Sequence, residues 1–218
     1  MRIIITESEL KNIIKNELKE DYPLTWDVEE FKKLTSFAKR IKYCEDNLTR
    51  ISSGSSRIVY KIDGAKVLKL AKNQKGIAQN DAEISFSNDY MWDGITAEIF
   101  NYDENGLWVE MELARKVTST IWMSIVGMSL NDMMDCARYV ENQSRGTYIK
   151  SQPPPMLDEA YENEFTSKIL DLIGNYDIPS ADFEKYSTYG VVNRTGEDEI
   201  VIIDYGLTTD VFNIHYKR

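Results

Sequence analysis

The sequence predicts an α+β chain: an antiparallel sheet carrying one inserted helix, then a mostly helical half, with two helices ahead of both. Three observations predict it. Residues 48–113 hold short runs of β-branched and aromatic residues separated by turn signals. The stretches before and after hold apolar residues at helical spacing. The end returns to an apolar strand, Ile200–Ile203, which delivers Asp204, Tyr205 and Gly206.

The elements follow in order. Arg2–Ile5 is β-like, and Thr6 with Glu9 makes a capping box for a helix whose stripe is Leu10, Ile13, Ile14 and Leu18. Pro23 breaks it, and a second helix is expected from Asp27 to about Tyr43, with Phe31, Leu34, Phe37 and Ile41 on one face. From Leu48 the pattern is β: Thr49–Ile51, a Ser/Gly turn over 52–56, Arg57–Ile62, the Asp63-Gly64 hairpin, then Ala65–Ala71. Residues 74–89 read as a helix. Ile95–Asn101 and Leu107–Leu113 read as strands joined by a turn over 103–106. Helices are expected over 119–143 and 157–174, separated by the rigid Pro153–Pro155 loop. Tyr189–Val192, a turn over 193–196 and Glu199–Ile203 close the chain.

At 218 residues the chain has room for one sizeable domain or two small lobes, and 42% hydrophobic residues supply a core. Against 26 basic residues stand 36 acidic ones. That balance argues against nucleic acid or an anionic membrane as a partner. The opening apolar run is too short for a signal peptide and no window reaches membrane-spanning length, so a cytoplasmic location is expected. Cys44 and Cys136 read as reduced thiols, with a disulfide as the alternative. No metal-ligand spacing exists, and His215 is the sole histidine.

Four features carry chemistry. Small residues with exposed N–H groups, Ser53, Gly54 and Ser55, suit close approach to phosphate, although Ser/Gly hairpins are also common surface turns. Lys69 sits among apolar neighbours on a strand, on the face of Val67 and Ala71; it needs an anion, with Glu83 preferred over Glu98, or else reaches water from an edge strand. The run Leu107–Ala114 is a strand whose end can present backbone groups to a flat heterocycle. Asp204 is a carboxylate at a strand end, suited to a metal ion.

In this order the pieces resemble the protein kinase family, which implies a bilobal fold: an N-terminal extension over 1–47, an N-lobe over 48–114 with a sheet and one helix, and a minimal helical C-lobe over 115–218. The resemblance implies a loop with Gly54 as its middle glycine, with Ser52 and Arg57 where outer glycines would be, and Val59 over the adenine. It implies Lys69 on the α- and β-phosphates, positioned by Glu83. Met111 would be the gatekeeper, with the Glu112 carbonyl and the Ala114 backbone at the adenine edge. Asp204 would hold Mg²⁺. In the catalytic loop Asp182 would orient the acceptor hydroxyl, but the usual His and Arg are absent, and Ser187 (or Thr188) replaces the metal-binding Asn. A second register uses Asp177 as the catalytic residue and Asp182 as the metal ligand.

The resemblance spans about residues 48–207. Twelve residues follow Gly206, so no activation segment or peptide-binding subdomain is expected. Small kinase-like proteins of tailed bacteriophages are similar in this respect, which would place the chain in a host cytoplasm or a virion. Three readings stay open. One is an ATP- and Mg²⁺-dependent phosphotransferase with an unusual acceptor. Another is a pseudokinase that meets a protein partner through its N-terminal helices. The third is an unrelated α+β protein in which Lys69 and Asp204 belong to a structural ion pair.

Overall fold

In the computed structural model, which describes residues 22–146, 152–176, 178–206 and 208–217, the main sheet grows from the turn at Asp63. The Asp63 Oδ1 accepts hydrogen bonds from the backbone N–H groups of Ala65 (2.6 Å) and Lys66 (2.7 Å). This self-capping turn sets β2 (Arg57–Lys61) against β3 (Lys66–Ala71), with Val59 opposite Lys69. Adding β1 (Thr49–Ser53), β4 (Ile99–Tyr102) and β5 (Trp108–Glu112) gives a five-stranded antiparallel sheet in the order β1-β2-β3-β5-β4. The expected strand and helix at 2–18, with their Thr6–Glu9 capping box, lie outside the described residues.

Strand β3 is buried on both faces, because each face meets a different core. Leu68 and Leu70 join Ile58, Tyr60 and Trp108 under the N-terminal helices. Val67 joins Met111 and the C-terminal core. The helices on the outer face are α1 (Val28–Lys33) and α2 (Phe37–Asn47). Asp27 caps α1 through the N–H groups of Glu29 and Glu30. Phe31 is the buried anchor, ringed by Trp26, Tyr43 and Trp108, while the Tyr22 hydroxyl donates to Glu110 at 2.8 Å. One continuous helix from Asp27 to Tyr43 does not form. Leu34 turns extended and Ser36 caps a new helix by accepting from the Lys39 N–H.

After β3 comes α3 (Gln74–Ser87), capped by Asn73. The expected strand from Ile95 begins only at Ile99. Its first residues bond a different sheet: the Ile202 N–H donates to the Ile95 carbonyl and the Ala97 N–H to the Ile202 carbonyl. That second sheet is β6 (Arg115–Lys116), β7 (Tyr189–Arg194) and β8 (Glu197–Ile202), antiparallel in that order. Thr195 (φ 54°) and Gly196 (φ 92°) form a two-residue loop of the primed kind that suits strand twist.

The C-terminal helices are shorter than periodicity predicts. The run over 119–143 splits into α4 (Ser119–Val126) and α5 (Leu130–Ser144), because Gly127 adopts φ 82° and Ser129 caps the second. The run over 157–174 splits into α6 (Leu157–Glu162) and α7 (Glu164–Tyr176) at Asn163, whose side chain accepts from Thr166 N–H and donates to the Val126 carbonyl. Trp122, Met133, Met134, Ile169 and Tyr189 fill the core between them. A last helix, α8 (Thr209–His215), follows the Asp-Tyr-Gly segment. The α+β class expected from the sequence, an antiparallel sheet with one inserted helix followed by a mostly helical half, is the architecture observed. No described helix is long and apolar enough to cross a membrane. Cys44 and Cys136 are buried free thiols.

The α1–α2 pair shares its core with the sheet, so truncating its anchor must open a cavity there. Phe31→Ala lowers unfolding free energy by about 3–5 kcal/mol, measured by urea denaturation followed through tryptophan fluorescence. A loss within about 0.5 kcal/mol, the surface range, contradicts this packing.

Candidate functional site

Alternation along β2 and β3 puts Arg57, Val59, Val67, Lys69 and Ala71 on one face, toward α3 and the C-terminal half. The Lys69 ammonium donates to both Glu83 oxygens (3.0 and 2.9 Å) and to the Ile203 carbonyl (2.5 Å). Arg57 completes the group. Its Nη1 lies 2.9 Å from Glu83 Oε1 and 3.2 Å from Asn80 Oδ1, and its Nη2 lies 2.6 Å from Asp204 Oδ1. Glu83 is fully buried, so it must be ionised and doubly paired or not charged at all.

Burial raises the Glu83 pKa, but Arg57 and Lys69 outweigh burial and hold the carboxyl below its ordinary value. Burial also lowers the Lys69 pKa, opposed by Glu83 and reinforced by Arg57. Burial disfavours the Arg57 charge too, yet Glu83 and Asp204 hold its pKa above the ordinary value.

The Asp-Tyr-Gly segment is placed by three different contacts. The Ile203 N–H donates to the Thr188 carbonyl and fixes the strand end. Tyr205 is buried, stacked on Trp92 at 5.5 Å and tilted against Phe86 at 6.3 Å. A Cβ on Gly206 would lie 2.3 Å from the Gln79 carbonyl oxygen, so only glycine lets the chain cross α3 here. Asp204 is left with its side chain 61% exposed, facing the cleft.

A cavity of about 250 Å³ opens beside it, lined by Asp182, Lys185, Ser187, Thr188 and Asp204, with walls from Phe86, Trp92 and Tyr205. Asp182 lies on a short 3-10 turn, Ser180–Phe183, tied down by the Thr188 hydroxyl donating to its carbonyl and the Tyr189 hydroxyl donating to the Phe183 carbonyl. Its carboxylate makes no hydrogen bond or ion pair among the described residues. Burial, then Asp204, then Glu141 raise its pKa from the ordinary 3.8 to about 6. Ser187 is exposed at the cavity edge. Asp177 lies outside the described residues.

The other sequence-selected residues do not line this cavity. Ser52 and Ser53 belong to β1, so the turn is narrower than expected, and the Gly54 N–H is committed to the Arg57 carbonyl. Lys72 donates to the Gly54 carbonyl and Asn73 to the Ser55 carbonyl, holding the exposed Ser53–Ser55 turn down on the start of α3. Val59 is half-buried and Met111 is buried in the C-terminal core. Glu112 leads from the main sheet toward β6. Its N–H donates to the Glu98 carbonyl, and its carboxylate takes Arg194 at 2.6 Å. Ala114 packs on Gly190, where a Cβ would lie 2.3 Å from the Ala114 Cβ.

Sequence reasoning missed the role of Arg57. The kinase resemblance puts it where an outer glycine would stand, whereas strand alternation sets it beside Lys69 on the same face. The donor set does not fit a resident Mg²⁺ at Asp204. One of its oxygens is bound by a guanidinium, and Ser187 offers only a neutral hydroxyl. No three His, Cys, Asp or Glu side chains among the described residues converge on a metal position.

No protein-family model matches the chain, and no curated protein matches it. Among solved structures it is similar to SAICAR synthase from Saccharomyces cerevisiae complexed with SAICAR: 10% identity over 75% of this chain and 74% of that one, TM-score 0.36. It is also similar to the streptomycin-ATP-APH(2")-IIa ternary complex: 13% identity over 84% and 73%, TM-score 0.34. At these TM-scores neither likeness bears on what this chain does.

Two outcomes follow from the site. Gly206→Ala drives a Cβ into backbone and destabilises by about 1–3 kcal/mol, read by chemical denaturation; an unchanged midpoint contradicts the close crossing. For Asp182, a folded pKa above the unfolded one means its stabilising contribution is complete below about pH 4 and lost as pH rises through about 6. After discounting for its partial exposure, Asp182→Asn therefore stabilises by about 1 kcal/mol at pH 7.5 and by nothing at pH 4. A pH-independent difference between the two proteins contradicts the assignment.

Proposed function

We propose that this chain is a kinase-like nucleotide-binding protein whose cleft lies between the main sheet and the Asp-Tyr-Gly segment. The observation that carries the reading is the group Arg57–Glu83–Lys69–Asp204. Three of these charges, Arg57, Glu83 and Lys69, are buried beside the exposed Asp204, and burying them costs more than burying apolar side chains of the same size, which supports a functional rather than a purely structural role. In this reading Lys69 meets the phosphates, exchanging the Ile203 carbonyl for a phosphate oxygen, and Glu83 keeps its ammonium in place. Ser53, Gly54 and Ser55 cover the phosphates, Val59 and Met111 bound the base, and the Glu112 carbonyl and Ala114 backbone meet its edge.

Binding without rapid phosphoryl transfer is the favoured form, the pseudokinase case, because Asp204 is engaged by Arg57. A protein partner would then read the surface, with the N-terminal helices as the part added to the lobe. A second reading, transfer to a small acceptor, rests on one feature: Asp182, an unpaired carboxylate with a raised pKa, lines a cavity next to Asp204.

ATP at a hundredfold excess over its Kd stabilises the native state by about 2.7 kcal/mol, a rise of several degrees in Tm. Lys69→Met abolishes that rise; should this variant not fold, Val59→Phe, which fills the base position, replaces it. No rise in the wild type sinks the nucleotide reading. Label transfer from γ-labelled ATP to protein or small alcohols, absent in Asp182→Ala, would decide for the second reading.

A further inference from the structure

The cation nearest to Asp204 is part of the chain. Arg57 spans Asn80 Oδ1, Glu83 Oε1 and Asp204 Oδ1 with its two terminal nitrogens, and its side chain is only 9% exposed. It cannot leave by losing its proton, since a guanidinium stays charged at any pH the fold survives. Nor can it swing out without stripping one partner from the fully buried Glu83. Arg57 and Lys69 together balance Glu83 and Asp204, so the group is neutral as it stands. A divalent ion placed on Asp204 would meet a fixed positive charge at hydrogen-bond distance from the same carboxylate. The remaining donors on that side, Ser187 and Asp182, offer one exposed neutral hydroxyl and a single further carboxyl at the cavity wall, and no three His, Cys, Asp or Glu side chains among the described residues converge there. A guanidinium is also a natural phosphate partner, planar and weakly hydrated.

We propose that Arg57 is the resident cation of this cleft: it takes the position of a divalent metal on Asp204, so the cleft binds its nucleotide without magnesium. The ligand class is a metal-free nucleoside polyphosphate, met by Arg57 and Lys69, with Lys72 beside the Gly54 turn and Lys185 at the cavity wall. This rests on the nucleotide reading above, and the experiment separates the two.

Full-length protein is titrated with ATP plus EDTA, with ATP plus Mg²⁺, and with Mn²⁺ alone. Melting temperature reads the first two and electron paramagnetic resonance of unbound Mn²⁺ reads the third. The wild type is expected to give the same ATP shift with EDTA as with Mg²⁺, and no Mn²⁺ site tighter than millimolar. Arg57→Gln keeps a donor for Asn80 but loses the charge. It is expected to need Mg²⁺ for ATP binding, with apparent affinity about tenfold weaker in EDTA, and to gain a Mn²⁺ site that a further Asp204→Asn removes. Should Arg57→Gln not fold, the wild-type arms with EDTA, Mg²⁺ and Mn²⁺ decide the proposal by themselves. An ATP shift in the wild type that requires Mg²⁺, or a sub-millimolar Mn²⁺ site there that Asp204→Asn removes, overturns the proposal. If ATP gives no shift under either condition, the nucleotide reading fails, and the Mn²⁺ arm alone decides whether Arg57 excludes the metal.

Discussion

Glu83 is the charge on which the cleft depends. Its carboxylate sees no water, and a lone carboxylate in that position would cost several kcal/mol. Two cations from adjacent strands, Arg57 of β2 and Lys69 of β3, offset that cost, and both reach past it to the segment that follows β8: Lys69 to the Ile203 carbonyl and Arg57 to Asp204. One buried acid thereby ties the main sheet, α3 and the end of β8 into a single unit. Two glycines make the approach close enough. A Cβ on Gly76 would lie 2.3 Å from the Ser56 carbonyl oxygen, and one on Gly206 equally near that of Gln79.

The lysine–glutamate pair and the aromatic seat of Tyr205 hold the segment so that Asp204 faces the cleft. The arginine then engages the carboxylate that such a seat presents. Under the proposed nucleotide reading, a fixed monovalent guanidinium at this carboxylate suits holding a polyphosphate better than splitting one, since charge positioning dominates phosphoryl transfer. The cavity beyond Asp204, with the unpaired Asp182, is where any residual chemistry would occur.

Much of this was legible in local pattern. The Asp63-Gly64 turn, the doubly buried β3, the lysine on its inward face, the glutamate on the next helix and the Asp-Tyr-Gly end all rest on periodicities of two or 3.6 and on turn chemistry. The breaks at Leu34, Gly127 and Asn163 were not legible, because a side-chain cap can restart a helix without disturbing its apolar rhythm. Ile95–Ala97 reads as a strand and does bond one, but its partner is Ile202, more than a hundred residues away. Only the tertiary fold specifies that pairing. Arg57 was legible in principle. Period-two alternation alone puts its guanidinium on the inward face with Lys69, a signal independent of any glycine pattern in the preceding turn. The cavity depends on how the 3-10 turns around Asp182 and Ser187 pack, which no local signal encodes.

The central claim is that Arg57 and Asp204 interact directly, joining the second strand to the Asp-Tyr-Gly segment in the nucleotide-free protein. A double-mutant cycle with Arg57→Gln, Asp204→Asn and the pair, measured by urea unfolding at neutral pH and low salt, tests it most directly. The account predicts a coupling free energy of about 1–3 kcal/mol, in the range for residues sharing one charge network. Additivity within about 0.5 kcal/mol, as for independent distant sites, would contradict it.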